Sequence, residues 1–144
     1  MPSKTFDSEL EALKKNYRTD PNGFEATYAF LDLYTKHARA VTASNPAEAI
    51  RLFKLAEDCQ GTIGTYATGS GEGLASMAAL YELMGECADV LDAMASKTGK
   101  LTERVAYLNE ALALWKKIQA DPNGQGDDTP AAQKIVEIQK KLKP

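Results

Sequence analysis

The stretch 74–95 carries two apolar seams at once, and no other feature constrains the fold of this chain as strongly. One seam reads Leu74, Met77, Tyr81, Met84, Ala88, Leu91, Ala95 and the other Leu80, Leu83, Cys87, Val90, Met94. Both step by threes and fours, as the faces of an α-helix require. Glu82, Glu86, Asp89 and Asp92 share the narrow remaining side, which reads as a solvated face. A helix covered on two flanks and wetted on one belongs at the centre of a helical bundle, so it must find neighbours on both sides.

The flanking sequence supplies them. A first helix is expected over 6–18, with Phe6, Leu10, Leu13 and Tyr17 on one face, ending at the Asp20-Pro21-Asn22-Gly23 turn. A second, over 24–42, is again two-seamed, with Phe24, Tyr28, Leu31, Tyr34, Ala38, Val41 on one side and Phe30, Leu33, His37, Ala40 on the other. Asn45-Pro46-Ala47-Glu48 reads as a helix start, with an Asn cap, Pro at the first helical position and Glu three residues after the cap. The seam Ala49, Leu52, Ala56, Cys59, Ile63, Tyr66 keeps helical spacing past Gly61 and Gly64, so this third helix is carried to 67, although each Gly costs about 1 kcal/mol against Ala. Residues 68–71 form the turn into the central helix. After a break at 97–100, a fifth helix over 101–119 should turn Leu101, Val105, Leu108, Leu112, Trp115 and Ile118 inward. Residues 121–128 read as a polar linker, and Thr129-Pro130 caps a final helix over 129–143 carrying Ile135, Ile138 and Leu142, expected to be loosely attached.

No segment alternates as a strand should. The fold class is therefore all-α: an antiparallel helical bundle of about five core helices plus a short C-terminal helix, in one domain whose core spans about residues 5–120. At 144 residues there is chain enough for a real core. A hydrophobic content of 44% is too high for a wholly disordered chain. A net charge of -3 argues against a phosphate-binding surface, because nucleic-acid affinity is built from Lys and Arg. The opening MPSKTFDSEL has no signal-like apolar core and no apolar run is long enough to span a bilayer, so the chain is expected in the cytoplasm, away from membranes. Cys59 and Cys87 stand alone, without a CxxC, and are expected to be reduced and buried.

Each chemical motif fails on a missing part. Gly64, Gly69 and Ser70 are spaced as in a phosphate loop, but Gly71 occupies the place of its lysine and no strand precedes it. Asp121, Asn123, Gln125, Gly126 and Asp127 resemble the start of a calcium loop whose twelfth position is Ala132 where a bidentate Glu is needed. His37 is the sole histidine, on an apolar seam, with no second ligand or nucleophile placed near it in sequence. No catalytic residue, metal site or cofactor is expected, and the chain is not expected to be an enzyme.

From Glu57 to Ile118 the sequence resembles the flagellin export chaperone family, as a divergent member. The resemblance rests on Ala56-Glu57-Asp58 before a glycine-bearing turn, on Gly71-Glu72-Gly73-Leu74-Ala75, on Leu80-Tyr81-Glu82-Leu83-Met84 in place of a Leu-Tyr-Asp-Tyr-Met signature, and on Trp115-Lys116-Lys117-Ile118. More weakly, Asp20-Pro21 with Phe24, Thr27 and Tyr28 resembles an earlier helix start in that family. Where the family carries paired arginines and a Leu-x-x-Ala-Asn after its signature, this chain reads Gly85-Glu86-Cys87-Ala88-Asp89-Val90-Leu91-Asp92-Ala93, acidic rather than basic, and the family's N-terminal tail tyrosine has no clear counterpart. The resemblance implies a cytoplasmic protein that binds the helix-forming C-terminal region of flagellin and prevents its premature polymerisation. Tyr28, Leu31, Leu80, Tyr81 and Met84 are the partner-binding residues this implies. The alternative is a tetratricopeptide-like adaptor for protein–protein interaction, read from Ala49-x-x-x-Phe53-x-x-Ala56 and Ala111-x-x-x-Trp115-x-x-Ile118.

Overall fold

The computed structural model describes residues 2–20, 23–66, 71–121 and 129–143. Among them lie six helices and no strand: α1 (Pro2–Asn16), α2 (Phe24–Val41), α3 (Pro46–Tyr66), α4 (Gly71–Lys97), α5 (Leu101–Gln119) and α6 (Ala131–Leu142). The all-α class expected from the sequence is what the chain adopts. The second, third, fifth and sixth helices begin and end within about two residues of expectation, whereas α1 starts earlier and α4 extends at both ends. The turn expected at 68–71 and the linker at 121–128 fall almost entirely outside the described residues. No helix among the described residues is long and apolar enough to cross a membrane.

The chain divides within α4 into two compact units, Met1–Leu80 and Tyr81–Pro144. In the first unit α2 packs against both α1 and α3. The α3 start is local chemistry: the Glu48 amide donates to Asn45 Oδ1 at 3.3 Å and Pro46 takes the first helical position, where its missing N–H costs nothing. One stripe of α3 is then buried almost completely, namely Ala49, Leu52, Phe53, Ala56 and Ile63. On α2 the buried set is Ala26, Thr27, Leu31, Leu33, His37 and Ala38, so this helix is covered on two flanks as its seams predict. The buried Thr27 hydroxyl is satisfied by donating to the Gly23 carbonyl at 2.8 Å.

The second unit contains the Tyr81–Lys97 part of α4 with α5 and α6. Both α4 seams are buried here: Tyr81, Met84, Ala88, Leu91 and Ala95 on one, Leu83, Cys87 and Val90 on the other. Trp115 of α5 lies against Gly85 of α4, so closely that a Cβ at 85 would stand 2.9 Å from the ring. The glycine is what lets the indole reach the helix backbone. Trp115 Nε1 is buried without a hydrogen-bond partner among the described residues, so packing is what holds the indole there.

Three expectations are corrected in this unit. Leu101 and Val105 do not face inward; they are 71% and 38% exposed, and the buried stripe of α5 begins at Leu108 and runs through Ala111, Trp115 and Ile118. The last helix is not loosely attached: Ala131, Ile135 and Ile138 are buried, Ile138 completely, and α6 packs on α5. The acidic row of α4 is more than a solvated face, because Lys134 Nζ lies 3.2 Å from Asp89 Oδ1 and Lys141 Nζ lies 2.8 Å from Asp92 Oδ1. Exposed ion pairs contribute about 0–1 kcal/mol each, against about 1.5–3 kcal/mol for burying an isoleucine, so the isoleucines hold α6 and the lysines orient it.

The two well-placed glycines of α3 and α4 should respond oppositely to substitution. Gly61 has open space around its Cβ position, so Gly61→Ala is expected to stabilise by about 0.5–1 kcal/mol through helix propensity. Gly85→Leu is expected to destabilise by about 1–3 kcal/mol by driving into the Trp115 ring. Thermal unfolding followed by circular dichroism reads both signs.

Candidate functional site

In the first unit α2 presents Phe30 and Tyr34 between its two buried flanks, with α1 on one side and α3 on the other. They are four residues apart and stack at 6.1 Å between ring centroids with planes 26° apart. With Thr27 they line a groove whose α3 side is Leu55, Asp58, Cys59 and Thr62 and whose α1 side is Lys14. The groove encloses about 430 Å³ and is open to solvent. An apolar floor with one basic and one acidic rim residue suits the side chains of an amphipathic segment better than a reacting small molecule.

The α1 side is positioned by a compact cluster. Phe6 is buried and meets the His37 ring edge-on at 4.8 Å, while Glu9 Oε2 stands 2.7 Å from His37 Nε2 and Lys36 Nζ donates to Glu9 Oε1 at 3.2 Å. His37 is thus a packed histidine, as its seam predicts, but it does have an acidic partner, brought from α1. The hydrogen bond with His37, followed by that from Lys36, holds the Glu9 carboxyl below its ordinary value of 4.5. Beside this cluster a second cavity of about 260 Å³ is lined by Phe6, His37, Val41 and Leu52 and rimmed by Asp7, Glu48 and Arg51.

Cys59 lies in the groove wall and is half-buried, not fully buried as expected, whereas Cys87 is completely buried; neither forms a disulfide among the described residues. Burial, with the Asp58 charge second, pushes the Cys59 thiol up to about 11, so it is protonated at neutral pH. Burial likewise raises the Tyr34 hydroxyl, with Cys59 adding to the shift. No group of three or more His, Cys, Asp or Glu that could hold a metal occurs among the described residues. The glycine turn weighed as a phosphate loop and the linker weighed as a calcium loop lie largely outside those residues.

The five partner-binding residues read from the resemblance are placed differently from one another. Tyr28 is 41% exposed and packs edge-to-face on Phe24 at 4.8 Å. Leu31, three residues on, is buried, and Leu80 is half-buried at the end of the first unit. Tyr81 and Met84 are buried in the second unit. None of the groove residues Thr27, Phe30, Tyr34, Leu55 and Thr62 was assigned to partner binding from the sequence. Their signal was present, since Phe30 and Tyr34, at i and i+4, are the adjoining edge members of the two α2 seams, where both flanking helices leave a gap. The chain matches no family model, no curated protein and no solved structure.

Two measurements check these electrostatics. A carboxylate with a lowered folded value adds stability above its unfolded value and loses it as pH falls through the folded one, so the stability gap between the wild type and Glu9→Gln should be full near neutrality and close as pH drops below 4.5. Alkylation by iodoacetamide should label Cys59 and not Cys87, with a rate rising about tenfold per pH unit toward a plateau near 11.

Proposed function

We propose that this chain is a holding protein, which binds an amphipathic helical segment of a client through the groove between α1 and α3 and carries out no reaction on it. The observation that carries the reading is the groove itself: open, floored by two stacked aromatic rings, and containing a cysteine held in its protonated form. A segment disordered when free lays residues at i, i+3 and i+4 into such a channel, and its side chains recover by burial what its backbone loses in ordering. The client that the family resemblance implies is the C-terminal region of flagellin, and the role is that of a cytoplasmic export chaperone. The exposed Phe24 and Tyr28 extend the apolar surface of α2 and serve as further contacts. The adaptor alternative has less behind it, since helices of 18 and 21 residues in the α2–α3 pair exceed a repeat unit of about 34.

Isothermal titration against full-length flagellin, and against flagellin lacking about its last forty residues, tests the reading. Binding to the first and not the second is expected, weakened at least about tenfold by Phe30→Ala and by the rim substitution Thr62→Arg. Equal binding to both flagellins, or to neither, would remove the flagellin assignment. Binding unaffected by the two groove variants would remove the groove.

A further inference from the structure

The groove floored by Phe30 and Tyr34 and the smaller cavity beside His37 are built on the same three helices of the first unit. On α2 their residues recur at threes and fours in one row, Thr27, Phe30 and Tyr34 in the groove and His37 and Val41 in the cavity. On α3 the row is Glu48 and Leu52 in the cavity, then Leu55, Cys59 and Thr62 in the groove, again at fours and threes. On α1 Asp7 borders the cavity and Lys14, one heptad further on, borders the groove. Residues so spaced share one helix face, so the two hollows lie end to end along a single channel. Phe6 marks the join, since its ring lines the cavity and stands 6.3 Å from the Tyr34 ring in the groove. We infer that this channel seats one partner helix two heptads long, with apolar residues spaced alternately by three and four and a basic residue beside the anchor that enters the cavity. The inference rests on the holding role proposed above and adds to it a length, a register and a charge.

Size separates this reading from a small-molecule site. An apolar cavity of about 150 Å³ accepts benzene, whereas drug-sized ligands take about 300–1,000 Å³. At about 260 Å³ the cavity suits one large side chain, and the groove, at about 430 Å³, suits two. The floor from Thr27 to Val41 is about 21 Å of helix, the length of about two heptads in a partner laid along it. Walls whose residues recur at threes and fours accept side chains with the same recurrence, as neighbouring helices of a coiled coil do. Charge then distinguishes the two ends. At the cavity Asp7 stands on α1 and Glu48 on α3, and Glu48 already pairs with Arg51 on its own helix, so the net charge there is that of Asp7. At the groove Lys14 and Asp58 stand on opposite walls and cancel. A partner whose basic residue lies over Asp7 is therefore favoured, and a helix acidic at that position is disfavoured.

The test uses the full chain and a fluorescein-labelled designed peptide of about twenty residues, followed by anisotropy. The peptide carries leucines at alternating spacings of three and four through two heptads, with lysines flanking the leucines of the first. In a companion peptide those first-heptad leucines are glutamines. The wild type is expected to bind the full peptide at least about tenfold more tightly than the companion. Ser44→Trp, which fills the cavity from its exposed rim, and Thr62→Arg, at the far end of the groove, should each weaken the full peptide at least about tenfold. The companion should respond to Thr62→Arg and stay within about twofold on Ser44→Trp. Asp7→Lys should weaken the full peptide by about two- to fivefold, an effect that high salt removes. Far-ultraviolet circular dichroism checks that each variant is folded, and Val41→Glu replaces Ser44→Trp if the latter is not. A full peptide weakened by Thr62→Arg but indifferent to the cavity variants would overturn the two-heptad channel and leave the groove as the holding site. Equal binding of the two peptides, or binding of neither, would also overturn it, and the flagellin titration would then decide the holding role separately.

Discussion

Close approach of helix backbones, made possible by small residues, is the constraint on which both units depend. Ala26 and Ala38 on α2 and Ala49 and Ala56 on α3 are buried to within a percent or so of completely, and the larger Leu52 and Phe53 fill the space those alanines leave. Interiors packed at crystal-like density tolerate little adjustment, so this pair sets where Phe30 and Tyr34 stand and how wide the groove beside them is. Gly85 performs the same service in the second unit, where a methyl group would already collide with the Trp115 ring. Because the indole N–H there has no partner, shape is the whole of what that contact contributes.

The two terminal helices are secured by a common device. Each pairs buried apolar side chains with charged contacts to a longer helix: Phe6 with Glu9 reaching Lys36 and His37 at one end, Ile135 and Ile138 with lysines reaching Asp89 and Asp92 at the other. Hydrophobic burial has no direction, and an ion pair at a half-exposed site adds little energy. Together they give both affinity and register. The difference is that Glu9 holds a buried ring, whereas both lysines of α6 stand at the water edge.

Function is read from what the groove offers. An aromatic floor supplies area at low entropic cost, and burial keeps the Cys59 thiol in its wall protonated. Tyr81 and Met84, which carry the family resemblance most directly, are buried in the second unit, while the exposed apolar residues of α2 lie in the first. Asp89 and Asp92, in the acidic stretch that follows Met84, accept contacts from α6 within the chain.

The sequence by itself determined the six helices, because a 3.6-residue period and the Pro, Gly and Asn punctuation act over a few residues and need no distant partner. Asn45 caps α3 from its own side chain, and the α3 seam persists through Gly61 and Gly64 because burial of Ile63 outweighs their propensity cost. Two-seamed patterning likewise showed that α2 and the latter half of α4 are covered on two flanks. Only the tertiary structure decided how far along a helix its covering extends, which is why Leu101 and Val105 lie exposed on a seam whose later members are buried. It also decided which charges meet, since Glu9 and His37, or Asp92 and Lys141, are brought together across 28 and 49 positions of chain. A face pattern records that a side chain is apolar or charged; the packing of whole helices chooses what it touches.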